Sequence, residues 1–191
     1  MFRASPGFTI VELLVVIVVI AILASIATVA YIGITDRAQA SQRISAIDAW
    51  EKAIRIYEQT HGSYPVPSGS TAVSTCLGPE FPAGDGFATG ECILNNGSNL
   101  GYTANAEIGT MLKEYINVAS SPFPTIKFTV YGMTIQQRGV LYYASNGRPG
   151  NNDEVSLMYY ITTDQTCGRG TKFYDSANKF GTCKLYLHEP Q

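Results

Sequence analysis

The chain has 191 residues, a formal net charge of −2, 46% hydrophobic residues and 15% charged residues. This length suits one globular domain plus an extra segment. The small net charge provides no general basic surface for nucleic acid or an anionic membrane, which argues against a dedicated DNA-binding domain but leaves room for a local basic patch.

A nearly continuous apolar block fills the first 35 residues, and Glu12 is the only charge between Phe8 and Thr35. Because about 20 apolar residues span the roughly 30 Å hydrocarbon core of a bilayer, the block predicts a membrane-crossing helix. A removed secretory signal peptide fits less well, since its apolar core has only about 7 to 15 residues and ends at a small-residue cleavage site. Here residues 36–40 continue a helical pattern. An ordinary N-terminal anchor leaves Glu12 unexplained.

Glu12 needs an explanation, because an ionised carboxylate is costly in hydrocarbon, at about 2.5 to 3.5 kcal/mol for a position at the centre of a membrane helix. It lies near the start of the block, so its side chain either reaches the interface or needs a positive partner. No Lys or Arg occurs between residues 4 and 36. A free α-amino group would supply the partner if the chain were cut just ahead of Phe8.

The stretch PGFTIVELLVVIVVIAILASIA, preceded by a short leader, resembles the class III signal of type IV pilins and pseudopilins. The resemblance implies that a prepilin peptidase cuts after Gly7 and that Phe8, the new N-terminal residue, is methylated. It further implies that Glu12 pairs with the N-terminal amine of a neighbouring subunit, a buried pair that specifies register more than it adds stability. The resemblance is strong from residue 6 to about residue 65 and only architectural afterwards.

Two positions depart from the family pattern. The family's glycine within the apolar run is Ala21 here, and its usual helix-breaking proline is Val29. Many major pilins are thought to lose helix around that proline in the filament, and Val29 removes the trigger. Gly33 is then the only local weak point, at roughly 1 kcal/mol relative to Ala. Whether the helix melts on assembly is therefore left open by the sequence.

Beyond residue 35 the pattern becomes amphipathic, with charged residues between apolar ones at helical intervals. The apolar stripe comprises Ala40, Ile44, Ile47, Ile54 and Tyr57, with Trp50 on its edge. Residues 8–60 contain no proline and predict one continuous helix of about 53 residues, roughly 80 Å long. Gly62 suits a left-handed C-terminal cap, and Pro65 prevents the helix from resuming.

Four cysteines fall as two pairs, each with 15 intervening residues. Neither CxxC-like spacing nor nearby histidines point to a metal site. A segment that follows a membrane-crossing helix can lie outside the cytoplasm, where disulfides persist. We expect the pairs Cys76–Cys92 and Cys167–Cys183, although four cysteines allow three connectivities. Closing a loop of this length contributes about 3 kcal/mol in the chain-entropy model.

The rest of the chain predicts a small mixed domain. Residues 66–101 are rich in Pro, Gly and Ser and predict a disulfide-tied loop, and residues 104–117 have the spacing of a short helix. Three to five antiparallel strands are expected to cover the apolar stripe of the long helix, from the stretches TIKFTVYG, GVLYYAS, EVSLMYYITT and CKLYLHE. The expected fold class is α+β: a long N-terminal helix, transmembrane then amphipathic, packed against a small antiparallel sheet, as in type IV pilins.

Together with the resemblance, these patterns imply four segments. Residues 1–7 form a leader that is removed, and residues 8–35 form the transmembrane and filament-core half of the long helix. Residues 36–61 form its amphipathic half. Residues 62–191 form a disulfide-stapled globular head.

Sites for chemistry are weakly indicated. The sequence contains no GxxxxGK[ST], HExxH or GxSxG motif, and its only histidines are His61 and His188. We therefore expect no enzymatic activity, no cofactor and no metal site. An oxygen-rich turn could coordinate calcium, but it lacks the EF-hand pattern and turn chemistry explains it equally well. That turn comprises Asn151, Asn152, Asp153 and Glu154.

Two surface patterns are also present. Arg169, Lys172 and Lys179 alternate with aromatic residues between Cys167 and Cys183, a pattern that could contact DNA or a receptor, although an exposed soluble loop would look similar. The sequence at 96–98, Asn-Gly-Ser, fits the short pattern for N-glycosylation.

The resemblance implies a structural subunit that polymerises through its N-terminal helix into a type IV pilus for adhesion, twitching motility or DNA uptake. The implied partners are further copies of the chain, prepilin peptidase, an assembly platform with its ATPase, and membrane lipid before assembly. The chain would cross the inner membrane once before assembly and lie in an extracellular filament afterwards. The alternatives are a minor pilin or a pseudopilin of a type II secretion or competence system, and, less favoured, a membrane-anchored enzyme or sensor with an uncut N-terminus.

Overall fold

The computed structural model describes residues 9–78, 81–117, 123–130, 132–145, 153–162, 165–176 and 180–189. The chain divides into two compact units, Met1–Gln39 and Ala40–Gln191. The first helix, α1 (Ile10–His61), has 52 residues and contributes to both units. It ends as predicted at Gly62, whose positive φ of 70° is readily adopted by a residue without a Cβ.

The described part of the first unit is helical, and every side chain described from Thr9 to Ala27 is exposed. The segment Ile10–Ala27 is 18 residues long and apolar enough, by length and composition, to cross a membrane. At 1.5 Å per residue it is about 27 Å long, close to the thickness of the hydrocarbon core.

The second unit contains the remaining described elements. They are β1 (Ala72–Leu77), β2 (Ile93–Asn95), β3 (Ser98–Asn99), α2 (Ala106–Leu112), β4 (Ile126–Val130), β5 (Met133–Gln137), β6 (Val140–Ser145), β7 (Val155–Thr162), β8 (Thr171–Ser176) and β9 (Phe180–His188). One antiparallel sheet has five strands in the order β1-β6-β7-β9-β8, and a second has four in the order β3-β2-β5-β4.

The second half of α1 packs on one face of the five-stranded sheet. Ile47, Trp50 and Ile54 are buried in a core shared with inward-facing residues of the strands, including Leu157 on β7. The sequence pattern predicts Trp50 at the edge of the stripe, but Trp50 lies inside this core. Small buried alanines on the same face of α1 allow the helix to approach the sheet closely. These alanines are Ala46 and Ala53.

The second sheet covers part of the opposite face. Its residue Ile93 packs with Leu141 of the five-stranded sheet around the Cys76–Cys92 pair. A further contact joins Phe128 on β4 to Tyr160 on β7, whose ring centroids are 5.2 Å apart. The five-stranded sheet therefore has one face toward α1 and another that is only partly covered.

The α+β fold class is confirmed, with β4, β6, β7 and β9 where alternating apolar stretches predict them. The prediction that residues 66–101 form only a loop is wrong, because this region contains β1, β2 and β3. The predicted strand number is also too low, since β5 and β8 are additional strands. Pairing with strands distant in sequence, such as β1 with β6, stabilises segments whose composition is typical of loops.

Candidate assembly site

The start of α1 is capped by three hydrogen bonds between Thr9 and Glu12. Glu12 N–H donates to Thr9 Oγ1 at 3.2 Å, and Glu12 Oε2 accepts from Thr9 N–H at 2.9 Å and from the Thr9 hydroxyl at 2.7 Å. Thr9 is the N-cap, since its carbonyl accepts the N–H of Leu13 at 3.2 Å. This is a capping box, which satisfies helix donors that would otherwise lack partners.

The capping box gives Glu12 a role that the sequence analysis missed. The tetrapeptide at 9–12, Thr-Ile-Val-Glu, has the S/T-x-x-E spacing of such a cap. The carboxylate also lies in the first turn, where the positive end of the helix dipole favours an anion. Glu12 forms no ion pair with the described residues, so its charge is not neutralised within them.

The surface beyond Glu12 is apolar and exposed. Ile10 is 86% exposed, and Val18, among the less exposed members of the segment, is still 47% exposed. Ser25, a polar residue within the segment, donates its hydroxyl to Ile22 O at 2.7 Å. A helix with internally satisfied polar groups and a continuous apolar surface is suited to lipid or to contact with other apolar helices.

The cysteines are joined as Cys76–Cys92 and Cys167–Cys183, the pairs favoured by their spacing. The Cα atoms are 6.3 Å apart in the first pair and 5.7 Å apart in the second. The first pair lies where the two sheets meet, and the second joins the segment before β8 to β9.

Arg169 lies in the segment closed by the second disulfide, and its guanidinium faces α1. Its terminal nitrogen donates to Glu51 Oε2, and its Nε donates to the same oxygen at 3.1 Å. Asp48 Oδ1 is 3.1 Å from Arg169 Nε, an ionic contact without hydrogen-bond alignment. Arg55 completes the cluster by donating to Glu51 Oε1 at 2.8 Å.

This cluster sets the ionisation of Glu51. Burial raises the pKa of its carboxyl, but the hydrogen bonds and positive charges of Arg169 and Arg55 lower the pKa by more than burial raises it. The pKa of Glu51 therefore lies below its ordinary value. Because Arg169 is engaged with two carboxylates, less of its charge remains for an external anion. Lys172 is exposed on β8, and Lys179 lies outside the described residues. DNA or receptor contact through these residues stays a prediction.

Other predicted positions fall partly outside the described residues. Gly7 and Phe8, the predicted cleavage and methylation sites, are outside them, as are Asn151 and Asn152 of the oxygen-rich turn. Glu154 from that turn instead pairs with Lys184 at 2.8 Å. Within the described part of the chain, no group of three or more His, Cys, Asp or Glu residues could hold a metal ion.

Comparison with known proteins identifies the N-terminal segment. Residues 3–28 match a family model described as the prokaryotic N-terminal methylation motif. No curated protein and no solved structure matches the chain. The match covers the stretch PGFTIVELLVVIVVIAILASIA, so the chain carries the class III signal of a type IV pilin-like or pseudopilin protein. Its apolar N-terminal helix and antiparallel sheets are consistent with the α+β fold of that kind of protein.

Proposed function

We propose that the chain is a structural subunit of a type IV pilus that polymerises through the first half of α1. The proposal rests above all on one combination: a methylation motif at residues 3–28 leads into an exposed apolar helix whose first turn holds a single carboxylate. A lone anchor explains the apolar helix but not the carboxylate. A polymerising helix explains both.

Processing would create the missing counter-ion. Cleavage behind Gly7 by prepilin peptidase leaves the α-amino group of Phe8 as a new positive charge, which N-methylation retains. In the dispersed subunit, Thr9 provides hydrogen bonds to Glu12 near the membrane interface. In the filament, the amine of a neighbouring subunit would approach the same carboxylate, and this ion pair would be favourable because surrounding helices exclude water.

The four proposed segments follow from this scheme. The leader of residues 1–7 is removed, and residues 8–35 cross the inner membrane and later form the filament core. Residues 36–61 carry the head of residues 62–191. An assembly platform and its ATPase would transfer subunits from lipid into an extracellular filament, where helix packing replaces lipid contacts. Adhesion, twitching motility and DNA uptake are the activities such a filament would serve.

A minor pilin or pseudopilin would carry the same signal. The head proposed here has two disulfides and is larger than a minimal pseudopilin requires, which favours a surface pilin. The abundance of the chain in filaments sheared from cells distinguishes these roles.

Substitutions at Glu12 and Thr9 test the proposed assembly, because they separate charge from capping. Glu12→Ala removes both, whereas Glu12→Gln removes the charge but keeps a residue type that completes a capping box. Thr9→Ala, the matched control, removes the cap and keeps the charge. We expect all three precursors to be cleaved. The yield of sheared filaments should fall by at least about tenfold, equivalent to about 1.4 kcal/mol, in both Glu12 variants, and it should not fall in this way in Thr9→Ala.

Filament yield is measured by immunoblotting of the sheared fraction, and cleavage by the mobility of the membrane-bound chain. Normal filament yield from Glu12→Gln would contradict the ion-pair model. If Glu12→Gln assembled normally while Glu12→Ala and Thr9→Ala both failed, the essential role of Glu12 would be capping.

A further inference from the structure

A cleft of about 310 Å³ lies on the outer face of the five-stranded sheet. Strand register places Ser74, Tyr143 and Ser156 in one row across β1, β6 and β7. In a neighbouring row, Leu141 and Met158 pack with the second sheet. The cleft is therefore the part of this outer face beside the covering sheet, and none of its lining residues belongs to the segment proposed for assembly.

Two tyrosines form the aromatic part of the cleft. Tyr143 is 38% exposed, and Tyr102, from the segment before α2, is half-buried. A tyrosine ring provides an apolar face with a hydroxyl at its edge, so it can contact the carbon skeleton of a ligand and also hydrogen bond to it.

An internal ion pair forms the polar part. Lys184 Nζ and the hydroxyl of Ser156 both contact Glu154 Oε1, at 2.8 Å and 2.6 Å. Glu154 Oε2 receives no hydrogen bond from the described residues, and the same residues provide no partner for the hydroxyls of Ser74, Tyr102 and Tyr143. Four polar groups along one cleft are therefore available to a ligand.

The charges in the cleft favour a neutral ligand. The side chain of Lys184 is only 14% exposed, and that of Glu154 is 22% exposed, so this ion pair is largely shielded from solvent. Lys184 Nζ also lies 4.8 Å from the ring centroid of Tyr186. A charged ligand would compete with this pair and leave one of its members without a counter-ion. A neutral ligand with several hydroxyls and an apolar ring face requires no such exchange.

We infer that this cleft binds a neutral saccharide. A sugar ring stacks on Tyr143 or Tyr102, while its hydroxyls bond to Ser74 and to Glu154 Oε2. The volume is at the lower end of the range for ligand sites, about 300 to 1,000 Å³, which suits a monosaccharide or the terminal residue of a glycan. The inference does not depend on cleavage, on Glu12 or on filament formation.

The test is saturation-transfer NMR on the full chain, dispersed in a detergent without a sugar headgroup. The probes are glucose, galactose, mannose, N-acetylglucosamine and N-acetylgalactosamine, with glucuronate and glucosamine as charged counterparts. We expect at least one neutral sugar to receive saturation and to bind more tightly than the charged analogues. Absence of binding to every neutral sugar, or tighter binding of a charged analogue, would overturn the inference.

Variants assign binding to the cleft. Tyr143→Ala and Ser74→Ala should each raise the dissociation constant of the bound sugar by at least about tenfold. An unchanged midpoint of thermal unfolding shows that a variant is correctly folded. Tyr115→Ala and Ser98→Ala, which change the same residue types outside the cleft, should bind as the unmodified chain does. Ser74→Ala keeps the test decisive if Tyr143→Ala fails to fold. Unaltered binding in the correctly folded cleft variants would place the sugar elsewhere and overturn the inference.

Discussion

At the scale of single residues, two glutamates on α1 show how surroundings determine the role of a carboxylate. Glu12 accepts hydrogen bonds from Thr9 but forms no ion pair with the described residues, so it remains available to a partner. Glu51 is buried and contacts both Arg55 and Arg169. The first arrangement suits assembly between subunits, and the second stabilises one subunit.

Glu51→Gln should lower the free energy of unfolding by about 1 to 3 kcal/mol at pH 7, because the amide oxygen accepts only a neutral hydrogen bond and the amide nitrogen cannot accept from an arginine. The folded-state pKa of Glu51 lies below its ordinary value, so its stabilising effect is present above the unfolded pKa of about 4.3 and is lost as pH falls through the folded pKa. The difference from the unmodified chain should therefore narrow below about pH 4.

Thermal unfolding of the detergent-dispersed chain at neutral and acidic pH measures this effect. Glu114→Gln, at an exposed carboxylate that forms no ion pair with the described residues, is the control and should change the midpoint little at either pH. If the midpoint of thermal unfolding differed between Glu51→Gln and the unmodified chain by the same amount at both pH values, the charge of Glu51 would not stabilise the fold.

At the scale of elements, α1 changes its surroundings along its length. Its segment Ile10–Ala27 is exposed on all sides, whereas its later turns present one buried face to the five-stranded sheet. Ile54 is fully buried on that face, and Ile56, two residues further on, is 45% exposed. The same residue type therefore tests both sides of one helix.

Ile54→Ala should lower the free energy of unfolding by about 2 to 5 kcal/mol, because it removes buried methylenes and leaves a cavity. Ile56→Ala should change it by less than about 0.5 kcal/mol, since the site is solvated. Denaturant unfolding followed by near-ultraviolet circular dichroism reports on the second unit. Equal destabilisation by the two substitutions would contradict the packing of α1 described here.

Elements with regular local patterns could be predicted from the sequence, and elements defined by distant partners could not. β6 and β7 contain β-branched and aromatic residues that predict strands directly. β1 depends on pairing with β6, and the neighbouring loop is held by Arg138, which donates to Pro82 O, Ala88 O and Glu91 O. No local pattern indicates such an anchor.

The same distinction applies to the candidate sites. The signal around Gly7, Phe8 and Glu12 could be recognised because it is a linear motif of neighbouring residues, and the family model covers these positions. The contact between Arg169 and Glu51 joins residues far apart in the chain and becomes visible only after α1 packs on the sheet. The cleft at Tyr143 likewise depends on strand register.

At the scale of the whole molecule, the two units differ in the surface they present and in how they are stabilised. The first unit exposes an apolar helix that requires lipid or other helices, and the second has its own core and two disulfides. This division is what the proposed cycle requires, because the subunit must exchange lipid for helix contacts while its head remains folded.

The most direct test of this account is intact-mass and N-terminal peptide mass spectrometry of material sheared from the native cell surface. We predict a chain that begins at N-methylated Phe8 and is four hydrogens lighter than the reduced form, two for each disulfide. A surface chain that retains residues 1–7 would lack the amine proposed to pair with Glu12 and would contradict the account.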